Sequence, residues 1–401
     1  MKVLMLGWEL PPHNSGGLGV ACYQLCQALA HKGVDIEFIV PYSAQHSANF
    51  MKITAARPVG VSEVVRGGIA YDSYRYVLED GREEWHDIYD QQALYEAAVA
   101  RMAFETEYDI VHAHDWLTFR AALRLKLARG VPIVLHVHSV ESDRAGGKRG
   151  NPLVHEIEEL GFQMADKIVA VSELTKQAII RDYNIPASKI DVVHNSIDQT
   201  SIEPLDSNNS YAYLAALKEQ GYRIVTNVGR LTIQKGLPNL IMAAKEVIRR
   251  VPKTMFLIVG SGEQYHELIE LAANAGIGRN VVFTGFQRGK RWRDAYAIAD
   301  LFVMPSVSEP FGLTPLEAIA YGTPSLVSKQ SGVSEVLHNC LKVDFWDIEE
   351  MANQIASVVQ HDVLRDAILA GARTEFANLT WNNAADQIKD IYNKHLVGAV
   401  T

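Results

Sequence analysis

An α/β protein made of two Rossmann-like domains facing each other across a cleft is what this chain predicts, and three observations predict it. Short β-branched apolar runs alternate with helical patterns along the whole length, as βαβ units around parallel sheets require. With 401 residues the chain exceeds one ordinary hydrophobic core, so two domains are expected. The alternation also restarts after a polar stretch, Glu203 to Ser210, which reads as the inter-domain linker.

The elements follow in order. In the first half the apolar runs predict strands over 2–6, 34–40, 109–112, 131–137, 167–171 and 190–193. The second half predicts strands over 222–228, 254–259, 280–284, 300–304 and 324–328. A Gly-rich turn, Ser15-Gly16-Gly17-Leu18-Gly19, separates the first strand from a helix whose apolar stripe is Leu18, Cys22, Leu25 and Leu29. Domains are expected over 1–195 and 196–380, with a final helix from Trp381 crossing back to the first domain.

Composition narrows the function. A 48% hydrophobic and 21% charged chain is a soluble globular protein, not a disordered one. The net charge of −9 argues against nucleic acid or an anionic membrane as the main partner. The basic cluster Arg288, Lys290, Arg291 and Arg293 reads mainly as a solvated helix face. Three cysteines, Cys22, Cys26 and Cys340, show no CxxC spacing and imply a reducing compartment. The N-terminus carries no signal-peptide pattern and no apolar run reaches about 18 residues, so the expected location is cytoplasmic, without stable membrane insertion.

Candidate functional residues lie at strand–loop–helix junctions, where ligands sit in open α/β sheets. The segment Ser308 to Glu317 follows a predicted strand and places two carboxylates, Glu309 and Glu317, either side of a Pro-Phe-Gly turn. Backbone N–H groups of Gly312, Leu313 and Thr314 suit an anionic leaving group, while ionised carboxylates accept hydrogen bonds from sugar hydroxyls. The loop after the first strand of the second domain, Gly229-Arg230-Leu231-Thr232-Ile233-Gln234-Lys235-Gly236, supplies an Arg and a Lys able to hold a diphosphate.

Two His-x-His pairs, His112 with His114 and His136 with His138, each point to one face of a strand and are expected to hydrogen-bond or pack rather than bind zinc. The chain has no Asp-x-Asp pair, which weakens a model with a divalent ion bridging nucleotide phosphates. No cofactor and no metal are expected.

Taken together these residues resemble retaining glycosyltransferases of the large family with the GT-B fold that includes sucrose synthases and many bacterial hexosyltransferases. Glu309 and Glu317 match its E-x7-E motif, and Arg230 with Lys235 match its diphosphate-binding pair. The segments Trp8 to Pro12, Ser15 to Gly19, His138 to Arg144 and Leu341 to Asp347 look most like bacterial and archaeal glycogen synthase-like enzymes. Where related starch synthases carry a lysine before Gly-Gly, this chain has Ser15.

The resemblance implies roles. Arg230, Lys235, His138 and Glu309 are the catalytic candidates, Glu317 meets the nucleotide ribose, and His138 lies near the transferred sugar. Gly16, Gly17, Leu18, Gly262, Phe286, Phe311, Gly312, Leu313 and Thr314 contact the donor; Asp115, Glu141 and Arg144 are candidates for the acceptor. The activity implied is transfer of a hexose from UDP-glucose or ADP-glucose to an α-1,4-glucan. A hexosyltransferase acting on a lipid or small molecule, and a catalytically inactive nucleotide-sugar-binding protein, are the alternatives. Donor base, sugar, acceptor and oligomeric state stay open at the level of residues.

Overall fold

The computed structural model describes residues 1–14, 16–66 and 74–397. The chain forms two compact α/β units. One comprises Met1–Glu141, Gly150–Ser196 and the C-terminal segment from Trp381; the other comprises Ser142–Arg149 and Ile197–Thr380.

Strands of the first unit are β1 (Lys2–Leu6), β2 (Asp35–Val40), β3 (Lys52–Ala55), β4 (Val61–Arg66), β5 (Tyr74–Leu78), β6 (Glu83–His86), β7 (Ile110–His114), β8 (Ile133–Val137), β9 (Lys167–Ala170) and β10 (Ile190–Val192). Seven of them make one parallel sheet in the order β10-β9-β8-β7-β1-β2-β3. Both β7 and β8 are buried along their entire length, as expected of central strands covered on both faces. Strand order reverses between β1 and β7, so this unit has a topological switch point there.

The second unit carries β11 (Arg223–Val228), β12 (Thr254–Val259), β13 (Val281–Phe283), β14 (Leu301–Met304), β15 (Ser325–Ser328) and β16 (Leu341–Val343). Their order, β13-β12-β11-β14-β15-β16, reverses between β11 and β14. The Asn227 amide donates to the Val303 carbonyl at 2.9 Å and pins those two strands near their carboxyl ends.

Three features depart from the sequence expectation. Strands β3 and β16 extend the two sheets by one strand each, and β4, β5 and β6 form a separate antiparallel sheet in the first unit. The polar stretch expected to be a linker is docked on the surface of the second unit, against helix Gly289–Ala297. Lys290 pairs with Asp206 at 3.1 Å, the Ser210 amide donates to Asp294 at 2.6 Å, and Arg293 pairs with Glu203. The main change of unit falls upstream of it, between Ser196 and Ile197, one residue from the expected domain bound, and much of the basic cluster is used to dock this stretch.

The last helix, Trp381–Val397, packs in the first unit. Its Trp381 indole donates to Gln24 at 2.6 Å, Lys389 donates to the Lys32 carbonyl at 2.7 Å, and Asp386 pairs with Lys32 at 2.7 Å. Among the described residues no helix is long and apolar enough to cross a membrane.

Candidate active site

In the second unit the candidate residues leave the two strands that flank the switch point. The loop after β11 carries Arg230 and ends in a 3-10 turn, Ile233–Lys235. Gly236 follows with φ +64°, and a Cβ there would lie 2.1 Å from the Pro305 carbonyl oxygen, so only glycine permits the β11 and β14 loops to approach this closely. The Val307 amide donates to the Gln234 carbonyl at 2.8 Å across the same junction. This contact delivers Lys235 to Glu309: the ammonium donates to Oε2 in a short ion pair, and Ser306 donates to the same oxygen at 3.2 Å. Glu309 is buried, and its backbone is fixed by the Gln330 carbonyl and the Gly332 amide, both at 2.9 Å.

Arg230 is exposed and has no hydrogen-bond or ion-pair partner in the described residues. The pair expected to act together is therefore split in this structure, Lys235 engaged by a carboxylate and Arg230 held in solvent.

Glu317 sits in helix Thr314–Ala320 and accepts a hydrogen bond from the Tyr296 hydroxyl at 2.6 Å. Burial raises its carboxyl to about 7, opposed in part by that hydrogen bond. The two carboxylates thus have different partners, a cation for Glu309 and a phenol for Glu317. Phe311 is buried, with its carbonyl accepting from Val333 at 2.7 Å, while Gly312 (φ +97°), Leu313 and Thr314 complete the turn into the helix. Gly262 lies against the β11 loop, where a Cβ would be 2.3 Å from the Leu231 carbonyl oxygen. Phe286 is exposed and covered by the Arg288 guanidinium, 5.2 Å from its ring centre.

In the first unit Gly16 is extended and precedes helix Gly17–His31, which contains Leu18; Ser15 lies outside the described residues. Asp115 follows β7 with φ 59° and ψ 167°, a conformation that costs a non-glycine residue about 1–3 kcal/mol. Its carboxylate accepts the amides of His138 at 2.7 Å and Ser139 at 3.3 Å. His138 is half-buried beyond the end of β8, and burial pulls its imidazole down to about 3, so the ring is neutral.

The acceptor candidates all have structural contacts or a fixed place in the fold. Asp115 Oδ1 and Glu141 Oε1 accept backbone amides, Glu141 from Asn151 at 2.7 Å, so both carboxylates also shape their loops. Arg144 lies in the segment 142–149, which groups with the second unit; there Ser308 donates to Asp143 at 2.5 Å.

Sequence reasoning missed three contributors: Tyr296, Ser306 and Glu9. Buried Glu9 accepts from the Gly19 amide at 3.3 Å and so ties the glycine-rich turn to the end of β1. Glu9 lies within the Trp8–Pro12 segment, but no spacing signal marks Tyr296 or Ser306 as partners of the two glutamates.

Two open α/β units, with polar and charged side chains on the loops beside a reversal of strand order, place the candidates where ligands bind in doubly wound folds. Residues 15–201 match the family described as glycosyltransferase family 4, and residues 215–375 match glycosyl transferases group 1. The chain belongs to the glycosyltransferases, in their GT-B group. It is 30% identical to the D-inositol 3-phosphate glycosyltransferase of Rhodococcus erythropolis, over 96% of this chain and 88% of that one. It is 28% identical to an uncharacterised glycosyltransferase of Methanocaldococcus jannaschii, covering 98% of each. The glycogen synthase of Mycobacterium tuberculosis is 28% identical, over 98% of this chain and 94% of that one. Among solved structures, sucrose-phosphate synthase from Thermosynechococcus elongatus superposes with a TM-score of 0.78 at 19% identity, covering 100% of both chains. The catalytic domain of starch synthase IV from Arabidopsis thaliana, bound to ADP and acarbose, gives 0.70 at 18% identity over 99% of each.

Proposed function

We propose that this glycosyltransferase moves a hexose, glucose, from a nucleotide-sugar to an α-1,4-glucan with retention of anomeric configuration. The observation that carries the reading is the Lys235–Glu309 pair built at the switch point of the second unit, with Glu317 held by Tyr296 on the following helix. Similarity to a glycogen synthase over nearly the whole chain supports the glucan acceptor.

In this reading the donor diphosphate displaces Glu309 from Lys235 and recruits the exposed Arg230, which grips phosphate oxygens through its planar fork. Glu309, released, accepts hydrogen bonds from the transferred sugar. Glu317 accepts from the ribose hydroxyls, and His138 serves the sugar. Gly16, Gly17, Leu18, Gly262, Phe286 and the turn from Phe311 to Thr314 serve the donor. The bond from the anomeric carbon to the phosphate oxygen breaks with its electron pair going to the nucleoside diphosphate. The acceptor hydroxyl forms the new bond on the same face and passes its proton to the departing phosphate oxygen, through an oxocarbenium-like transition state. The cationic pair stabilises the leaving charge, and no metal or cofactor is required.

The test is release of UDP or ADP from UDP-glucose and ADP-glucose, in EDTA, with and without a malto-oligosaccharide or glycogen. Acceptor-dependent release with chain elongation is expected, and loss of turnover in EDTA would count against metal independence. A second reading, transfer to a small molecule or lipid, draws on the similarity to D-inositol 3-phosphate glycosyltransferases; release stimulated by a polyol phosphate and not by glucan would select it. Donor binding without turnover on any acceptor would select an inactive nucleotide-sugar-binding protein.

A further inference from the structure

Four imidazoles lie together on one face of the first sheet: His112 and His114 on β7, His136 on β8 and His138 just beyond it. Neighbouring rings lie with centroids 4.5–5.2 Å apart, some stacked and some tilted. The rings divide into two hydrogen-bonded chains. In one, Tyr392 meets His112 Nδ1 at 2.5 Å, and His112 Nε2 meets His136 Nδ1 at 3.1 Å, leaving the buried His136 Nε2 without a partner among the described residues. In the other, Met5 Sδ meets His114 Nε2 at 3.2 Å, and His114 Nδ1 meets His138 Nε2 at 3.0 Å.

The second chain has an end that sets its direction. A thioether sulfur accepts hydrogen bonds and has no proton to give. His114 is wholly buried and neutral, so it carries one ring proton. Opposite Met5 that proton belongs on Nε2, because the alternative faces a nitrogen lone pair with a sulfur lone pair. His114 Nδ1 then accepts, and His138 Nε2 must donate. Neutral His138 is left with a bare Nδ1, which has no hydrogen-bond partner in the described residues. The first chain has no such end, since a tyrosine hydroxyl both donates and accepts.

We propose that His114, anchored by Met5, is a positioning residue that holds His138 as its Nε2–H tautomer and thereby presents His138 Nδ1 as an acceptor for a substrate hydroxyl. The identity of that hydroxyl as a sugar's rests on the proposed function; the tautomer does not.

The experiment is long-range proton–nitrogen correlation NMR on the full chain with 15N-labelled histidine at neutral pH, with His138→Asn used to assign the His138 signals. A protonated Nε2 and a bare Nδ1 are expected for His138. Met5→Leu, a near-isosteric change of the kind cores tolerate, should convert this single state into a tautomer mixture. It should also lower kcat by roughly 3- to 10-fold, the effect of weakening one hydrogen bond, with nucleoside diphosphate affinity unchanged. A protonated Nδ1 on wild-type His138, readable even if the variant does not fold, would overturn the proposal, as would an unchanged His138 spectrum in Met5→Leu. Nitrogens of His112, His114 and His136 lie within 4.8 Å of one another, so one equivalent of Zn2+ is added as a further arm. Coordinated shifts of those three rings on stoichiometric zinc would overturn the hydrogen-bonded chain. A tautomer shift with unchanged kcat would overturn the hydroxyl role alone, and absence of transferase activity in the wild type would count against the proposed function and not against the tautomer.

Discussion

Glu317→Gln should remove a pH dependence of stability that runs opposite to the usual behaviour of carboxylates. Burial raises the Glu317 carboxyl from its ordinary 4.5 to about 7, even with Tyr296 donating to Oε2. Between those values the folded chain holds a proton that the unfolded chain has released. Stability is therefore greatest below 4.5 and is lost as pH rises through about 7. At 1.36 kcal/mol for each tenfold change the ceiling is about 3 kcal/mol; because the side chain keeps partial solvent contact, we expect about 1–2 kcal/mol. Glutamine keeps an acceptor for Tyr296 and cannot ionise. The assay is urea unfolding of both proteins at about pH 5 and about pH 8, followed through Trp292, whose ring lies 5.4 Å from that of Tyr296. That local signal matters because the two units need not unfold together. The wild type should lose about 1–2 kcal/mol relative to the variant across the interval; parallel curves would refute the reasoning. If Glu317 also accepts ribose hydroxyls, nucleoside diphosphate binding should tighten as pH rises through about 7 in the wild type and stay flat in the variant.

Arg230→Ala should lower kcat by roughly 10²–10³, the range for loss of a preorganised charge stabiliser, with a much smaller rise in donor KM; an unchanged kcat in steady-state kinetics would remove Arg230 from the leaving-group role. At Asp115, alanine loses the acceptor for two amides and keeps the φ 59° strain, whereas glycine loses the acceptor and relieves the strain. Asp115→Gly should therefore be more stable than Asp115→Ala by about 1–2 kcal/mol in denaturant unfolding, and the reverse order would show that the backbone at this position stores no strain.

The fold was readable wherever a strand is central and buried. Such strands must be apolar on both faces, and runs like Ile133–Val137 and Thr254–Val259 announce themselves. Strand β6, Glu-Glu-Trp-His, is mostly exposed and held by pairing with β5, so its residues carry no hydrophobic signal. The polar stretch before Tyr211 misled for a related reason: a docked polar segment and a linker have the same composition and differ only in whether partners such as Lys290 and Asp294 wait elsewhere in the chain.

The same distinction separates the legible part of the site from the rest. Residue types at strand–loop–helix junctions single out Arg230, Lys235, Glu309 and Glu317 as candidates, because sheet topology dictates where ligand-facing loops occur. Partner choice is not written locally. Lys235 meets Glu309 across 74 positions, and Glu317 meets Tyr296 across 21, through the order of strands and the Gly236–Pro305 approach. These pairings shape the proposed mechanism: there, a lysine paired with a carboxylate exchanges that partner for phosphate, and an arginine exposed to solvent joins it. On that proposal, charge for the leaving group is assembled on binding, and substitutions at Glu309 should change the cost of the exchange even where they leave every phosphate contact intact.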